Sequence, residues 1–234
     1  MILNYQLEMQ AGIPIESEFA IMRHSERSVL YNAIKQLADY SVIVEVGSFI
    51  GGSASLMAAA NSTITVNCIE AFLGQGNIQM WNHTKTHVHH SLRHSSYKMG
   101  TKPDENQLNM LVSSIDNSFL IDPSGKLAFE TVTKNFSNIK LHPKESPINF
   151  LNWTQPIDMY LEDATHHNPV LYENIKFWSN HIKPGGFIIG HDYQNLDTGS
   201  YPDVISEFNK LIINGWDLIS KVHSLIILQK PRLQ

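Results

Sequence analysis

The sequence predicts an α/β fold built on a mainly parallel β-sheet. Short apolar runs without polar alternation, which are typical of strands covered on both faces, alternate with segments of helical periodicity. Such alternation predicts βαβ units with right-handed crossovers. The 234 residues, of which 42% are hydrophobic, suffice for one large core but are few for two independent domains. We therefore expect residues 1–234 to form a single domain.

The predicted elements follow each other along most of the chain. A leading helix at 16–39 precedes strands at 41–46 and 64–69, with a helix at 54–60 between them. A tight turn is predicted at the KPGG sequence of residues 183–186. The second half adds a helix at 127–136, strands at 138–141 and 157–161, a helix at 168–181, a strand at 187–190, a helix at 204–214 and a closing hairpin of strands at 216–220 and 224–228.

The segment 73–125 interrupts this alternation, because it is polar and shows periodicity only at 105–115. A loop of this length is usually functional or disordered, so we expect an insertion or lid that borders the active site. Its histidine spacing also fits a transition-metal site on a helix face. The absence of cysteine and the irregular surroundings favour a solvated lid. The histidines are His83, His87, His89, His90 and His94.

The net charge of −5 gives no general attraction to nucleic acid or anionic lipid, so we expect a small-molecule substrate. No apolar run approaches the roughly 18 residues that span a bilayer, and residues 1–12 lack the basic start of a secretory signal. We therefore expect a cytoplasmic protein. The single cysteine, Cys68, is interpreted as a buried thiol in the second strand. Assembly into a homo-oligomer stays open.

A glycine-rich turn, EVGSFIGGS at residues 45–53, joins the first strand to the next helix. Ligands of open α/β sheets bind beyond the carboxyl ends of the strands, where Gly47 and Gly51 would let the backbone approach them closely. Glu70 ends the next strand and would accept hydrogen bonds from both ribose hydroxyls. These residues predict an adenosine site. The open alternative is a tight turn without a ligand.

Position 49 decides which adenosine cofactor is expected. Phe49 stands where the dinucleotide fingerprint needs a glycine for the pyrophosphate, which disfavours NAD. S-adenosylmethionine has no phosphate, and Glu45 would suit its ammonium group or the water around it. We predict that the cofactor is contacted by Glu45, Gly47, Ser48, Phe49, Gly51, Ser53 and Glu70.

Three ordered motifs carry a resemblance to a known family. Residues 45–53 resemble the first motif of class I S-adenosylmethionine-dependent methyltransferases, and 157–167 (IDMYLEDATHH) and 182–193 (IKPGGFIIGHDY) resemble motifs of its subgroup with macrocin-type sugar O-methyltransferases. The resemblance implies a Rossmann-like fold with a seven-stranded sheet and a C-terminal antiparallel strand. It also implies methyl transfer, assisted by a divalent metal, to a hydroxyl of a small polar acceptor.

The reacting end is expected where Asp163 and Asp192 follow adjacent predicted strands, because their carboxylates can converge on one crevice. Two oxygen ligands plus water suit Mg²⁺, which would lower the pKa of an acceptor hydroxyl. The resemblance implies that both aspartates bind the metal, with His191 as a third ligand or a supporting partner. It further implies His166 as the general base and Ser146 as an adenine contact; Asp163 also borders the cofactor.

Several alternatives stay open at this stage. The aspartates would otherwise only stabilise loops, and His166 would cap the helix that starts at Asn168 or lie exposed. Glu162 stands where the resembling subgroup has an apolar residue, and it could replace Asp163 as the ligand because adjacent strand residues face opposite ways. The alternative functions are a nucleotide- or sugar-binding module without catalysis and an enzyme of this fold with different chemistry.

Overall fold

A computed structural model describes residues 13–93, 104–194 and 201–232. A seven-stranded sheet forms its centre, with the strand order β3-β2-β1-β4-β5-β7-β6. The first five strands are parallel, whereas β7 is antiparallel to both of its neighbours. The predicted α/β class, the mainly parallel sheet and its antiparallel C-terminal strand are confirmed. The strands are β1 (Val42–Val46), β2 (Thr65–Ile69), β3 (Ile139–His142), β4 (Ile157–Glu162), β5 (Ile182–Gly190), β6 (Asp217–Val222) and β7 (Leu225–Gln229).

Helices cover both faces of the sheet. They are α1 (His24–Lys35), α2 (Gly52–Ala60), α3 (Gln75–Arg93), α4 (Glu105–Ile121), α5 (Lys126–Thr133), α6 (Val170–His181) and α7 (Pro202–Ile213). Alternate residues of β1 serve the two faces: Ile43 packs in the cluster with α1 and α2, whereas Val42 and Val44 pack in the cluster with α6 and α7. Among the described residues, no helix has the length and apolar character needed to cross a bilayer.

Two local predictions are corrected by the structure. The single leading helix predicted at 16–39 is a short 3₁₀ helix, Ile15–Phe19, followed by α1. The turn predicted at 183–186 lies inside β5, where the register against β4 shifts between Ile157 and Met159. Gly185 adopts a φ of +80° in this stretch. The glycine therefore allows an irregular conformation within β5 and does not form a turn before the strand.

The interpretation of 73–125 as irregular outside 105–115 is also wrong, because α3 occupies its first part, while the periodic stretch 105–115 lies within α4. Trp81 of α3 and Leu108 of α4 are buried and pack with Phe19 and Phe49 in a third apolar cluster. Trp81 also donates a hydrogen bond of 2.8 Å from its indole nitrogen to Asp116. Widely spaced apolar residues between polar ones therefore build two amphipathic helices, although the segment reads as polar on average.

Strand order places a binding position at the carboxyl ends of β1 and β4. From β1 the chain crosses through α2 to β2 on one side, whereas β4 lies on the other side of β1. Connections that leave neighbouring strands in opposite directions open a crevice between them, and ligands of open α/β sheets bind there. The glycine turn after β1 and the acidic residue after β4 both face this crevice.

Candidate active site

Gly47 begins the turn after β1 and lies directly beneath the backbone that follows β4. Its φ is +90°, and a Cβ atom at this position would lie 2.3 Å from the carbonyl oxygen of Asp163 and 2.5 Å from Cα of Ala164. The Asp163 amide donates to the Val46 carbonyl over 2.9 Å, which keeps the two segments together. Glycine is thus required by a close approach of backbone to backbone, in addition to any approach of a ligand.

Glu70 links the end of β2 to the glycine turn. Its carboxylate accepts hydrogen bonds from the backbone amides of Phe49 (2.8 Å) and Phe72 (3.1 Å). Burial raises the pKa of Glu70, and these amide hydrogen bonds oppose the increase. The residue lies on the wall of a cavity at the carboxyl ends of the strands, which is the position expected for the ribose contact.

Phe49 has two distinct roles in this turn. Its φ of +46° is unusual for a residue other than glycine, and its ring packs in the third apolar cluster with Ile50 and Trp81. Phe49 also contributes to the cavity wall. An apolar anchor therefore fixes the turn in a conformation that glycine alone would leave loose.

The other predicted cofactor contacts of this motif lie behind the turn, away from the cavity wall. Glu45 is fully buried and accepts hydrogen bonds from the Ser53 hydroxyl and, over 3.6 Å, from the Cys68 thiol. Burial raises the pKa of Glu45 to about 7, against the hydrogen bond from Ser53. Ser48 is buried, and a Cβ on Gly51 would lie 2.5 Å from Cγ2 of Thr133. A direct cofactor contact by these four residues stays a prediction.

The cavity has a volume of about 580 Å³. Ser146, the predicted adenine contact, lies on its wall, and the Ser146 hydroxyl accepts a 2.9 Å hydrogen bond from the Trp178 indole. Asn174 is also a wall residue, although it lies in none of the three sequence motifs. The remaining wall residues relevant here are Val46, Gly47, Ile69, Glu70, Leu73, Asn77, Met80, Ile148, Asp163, Val170 and Glu173.

Three potential metal ligands meet at the ends of β4 and β5. Asp163, His191 and Asp192 each offer one ligand atom, and these atoms all lie within 4.8 Å of one another. Nδ1 of His191 lies 3.0 Å from Oδ1 of Asp163 and 3.5 Å from Oδ2 of Asp192. The structure thus brings together the three residues predicted as metal ligands. Asp163 is also a wall residue of the cavity.

Glu162, the last residue of β4, and Asp163, which follows it, have different partners. Glu162 accepts a hydrogen bond from the Tyr160 hydroxyl and another, over 3.2 Å, from the Ala164 amide. Burial raises the pKa of Glu162 to about 7, opposed by the hydrogen bond from Tyr160. The structure therefore places Asp163, and not Glu162, in the group of potential ligands.

A second carboxylate lies behind His191. Glu26 of α1 is 1% exposed, and its Oε2 lies 3.7 Å from Nε2 of His191. Its Oε1 accepts 2.7 Å hydrogen bonds from both the amide and the hydroxyl of Ser224. Glu26 could not be identified from the sequence, because it lies 165 positions from His191 on a helix without any motif. Only the packing of α1 against the β6–β7 turn brings them together.

These contacts determine the charges of the pair. Burial raises the pKa of Glu26, but the interactions with His191 and Ser224 outweigh it and lower that pKa to about 2. Burial likewise opposes a charge on His191, and the carboxylates of Asp163 and Glu26 outweigh it and hold the His191 pKa well above its usual value. Burial raises the pKa of Asp163, and His191 opposes that increase.

His166 borders the acidic group from the loop after β4. Its Nε2 lies 3.0 Å from Oδ2 of Asp192, and its ring stacks on Tyr201 with 4.0 Å between the centroids. The alternative role as a helix cap falls to Asn168, whose side-chain oxygen accepts a 3.0 Å hydrogen bond from the Tyr172 amide. His166 is therefore held in place beside the predicted ligands, although it is not a wall residue of the cavity.

The histidine-rich segment contributes no described ligand to this site. His83 lies exposed on α3. Side chains of His87, His89 and His90 and all of His94 lie outside the described residues.

Comparison with solved structures supports the fold. A candidate caffeoyl-CoA O-methyltransferase from Staphylococcus aureus superimposes with a TM-score of 0.55 at 15% identity, covering 94% of this chain and 93% of that chain. The O-methyltransferase TomG from Streptomyces achromogenes, involved in tomaymycin synthesis and solved with S-adenosylmethionine, gives 0.54 at 14% identity over 96% and 92%. An O-methyltransferase from Bacillus cereus, solved with S-adenosylhomocysteine, gives 0.50 at 12% identity over 93% and 84%.

No curated protein sequence matches the chain. A family described as a methyltransferase domain, however, matches residues 44–193, which is more than half of the chain. The matched region runs from β1 through the glycine turn and the aspartate pair, so it contains all three motifs. The macrocin-type subgroup stays a prediction. The chain belongs to the methyltransferase-domain family and has the Rossmann-like fold of the O-methyltransferases to which it is similar.

Proposed function

We propose that this chain transfers the methyl group of S-adenosylmethionine to a hydroxyl of a small polar acceptor, such as a sugar, with the help of a divalent cation. One observation carries the proposal. Asp163 belongs both to the cavity wall and to the group of three potential metal ligands, so donor, acceptor and cation would meet at its carboxylate.

The cavity suits the proposed cofactor. It lies at the switch point of the sheet, and it combines apolar walls with a few polar groups at defined places. Glu70 would take the ribose, since each carboxylate oxygen has capacity beyond the amide bond that it accepts. Two of the similar structures were solved in complex with S-adenosylmethionine or S-adenosylhomocysteine, which supports the same cofactor here.

The donor set suits a divalent cation. Asp163 and Asp192 offer hard carboxylate oxygens, which Mg²⁺ prefers, and His191 would add an imidazole nitrogen after losing its proton. A bound cation would lower the pKa of an acceptor hydroxyl beside it. Two carboxylates near the crevice would also orient such a hydroxyl through hydrogen bonds.

The remaining chemistry falls to His166 and the walls of the crevice. Bound S-adenosylmethionine would supply an electrophilic methyl group, whose transfer would break the C–S bond, leave the electron pair on sulfur and form a C–O bond to the acceptor. His166 accepts the acceptor proton, and its contacts with Asp192 and Tyr201 fix the imidazole for this role. Alignment of donor and acceptor by the rigid strand ends supplies much of the rate.

A second candidate is methyl transfer on the same fold without a metal. It is favoured by the contacts of His191, which lies between the carboxylates of Asp163 and Glu26 and can neutralise them as an imidazolium. The paired acids would then need no cation. In that case the carboxylates would position the acceptor hydroxyl only.

The test is transfer of labelled methyl from S-adenosylmethionine to a panel of sugars and phenols, with and without a chelator. We expect activity that chelation abolishes and Mg²⁺ or Mn²⁺ restores. Asp192→Asn should lower the rate at least 100-fold, whereas Asp217→Asn, on exposed β6, should not. Activity that survives chelation would select the metal-free candidate, and no transfer to any acceptor class would oppose the proposal.

A further inference from the structure

Asn174 is a buried residue on the wall of the cavity. The residue is 1% exposed, and its Oδ1 accepts no hydrogen bond from any residue that the structure describes. A buried amide oxygen without a partner is costly and rare in folded proteins. Because Asn174 lies on the wall, its missing partner is best supplied by a donor group of the ligand.

The place of Asn174 is fixed by its helix. Trp178 lies one helical turn further along the same face of α6, and its indole donates the 2.9 Å hydrogen bond to Ser146. Asn174 therefore borders the segment that begins at Ser146. Apolar Ile148 and Val170 line the same cavity. A flat ring with apolar faces and a polar edge fits these surroundings.

Other residues of the cavity wall would bind the ribose of the cofactor and its methyl-donating end. Glu70 occupies the position for the ribose, and Asp163 marks the end where methyl transfer would occur. The region between Ser146 and Asn174 is left for the base. Adenine is a flat heteroaromatic ring whose polar edge carries an amine beside an unprotonated ring nitrogen.

We propose that Asn174 is a specificity-determining residue for the adenine ring of the cofactor. A carboxamide offers an acceptor beside a donor, and the amine and ring nitrogen of adenine offer the complementary pair. The Asn174 oxygen accepts from the amine, and the Asn174 NH₂ donates to the ring nitrogen. Hypoxanthine and guanine carry a carbonyl in place of that amine and are rejected. The inference rests on the proposed function, since it assumes an adenosine cofactor.

The experiment is calorimetric titration of the full chain with S-adenosylhomocysteine and with S-inosylhomocysteine, in which a carbonyl replaces the amine. The unmodified protein should prefer the adenine compound by about 10- to 100-fold. Asn174→Leu should lower affinity for S-adenosylhomocysteine by a similar factor and abolish the preference. Asn180→Ala, an exposed asparagine on the same helix, serves as the matched control and should change neither.

Thermal unfolding of the ligand-free variants separates binding from structure. Leucine has the same branching at Cγ as asparagine and leaves no unpaired polar group, so Asn174→Leu should keep Tm. If Asn174 had a purely structural role, this substitution would lower the Tm of the protein. Equal preference for adenine in Asn174→Leu and the unmodified protein would overturn the inference alone. Absence of any binding by the unmodified protein would overturn the proposed function and this inference with it.

Discussion

Substitution of Gly47 by alanine tests how the cofactor turn is built. Two costs are expected: alanine at φ +90° is strained by about 1–2 kcal/mol, and its Cβ would collide with the Asp163 carbonyl at 2.3 Å. Overpacking of this kind costs about 1–3 kcal/mol, because backbone must move. The free energy of unfolding should therefore fall by about 2–5 kcal/mol, the sum of these two contributions.

Gly215→Ala is the matched control for this prediction. Gly215 has a φ of +92°, but a Cβ there would meet no atom within 4 Å. Only the strain of about 1–2 kcal/mol is then expected. Urea unfolding followed by circular dichroism measures both variants, and their difference isolates the collision with the β4 loop. Equal losses of stability in the two variants would refute the argument that Gly47 is required by the approach of Asp163.

Three further predictions concern buried charges. Burial raises the pKa of Glu45 to about 7, so the contribution of Glu45 to stability is present below pH 4.5 and is lost as the pH rises through 7. Urea unfolding of the ligand-free protein at several pH values should show this change in the free energy of unfolding, and Glu45→Gln should remove it. The pKa of Glu26 is lowered to about 2, so Glu26→Gln should reduce the free energy of unfolding by about 1–3 kcal/mol near neutral pH. In the same assay, this difference from the unmodified protein should shrink as the pH falls from 4.5 towards 2. His191→Asp replaces a nitrogen donor by oxygen, so competitive metal titration should show about a tenfold shift in preference from Zn²⁺ towards Mg²⁺; an unchanged preference would exclude His191 as a ligand.

Strand positions follow from the sequence because each buried strand needs an apolar run. The predicted bounds of β1, 41–46, and of β2, 64–69, agree with the structure within one residue at each end. The glycine turn could also be predicted, because only certain residues allow its backbone conformation. These features depend on neighbouring residues, so they can be predicted from short stretches of sequence.

Helix α3 shows where such patterns fail, whereas the periodicity at 105–115 already marked most of α4. The buried Trp81 and Val88 of α3 are seven positions apart, and histidines between them lower the average hydropathy. The apolar face of α3 becomes meaningful only through its packing with Phe19 and Phe49, which come from distant parts of the chain. Average polarity therefore suggested a loop where tertiary packing forms a helix.

The candidate site divides in the same way. Asp163, His191 and Asp192 lie in recognisable motifs at strand ends, so their convergence could be predicted. Glu26 and Asn174 lie on helices in no motif, and each becomes notable only through what it faces after folding. Glu26 lies beside His191, and Asn174 lies on the cavity wall.

Cofactor binding at the cavity is the central claim, and calorimetric titration with S-adenosylhomocysteine tests it most directly. We expect one binding site per chain, with affinity reduced about tenfold or more in Glu70→Ala and unchanged in Glu105→Ala, an exposed residue of α4. Stability of Glu70→Ala must be measured in parallel, since Glu70 also accepts the Phe49 amide. Binding that is weakened only in Glu70→Ala, with the fold retained, is the result predicted. No binding by the unmodified protein, or equal binding by all three, would contradict the account.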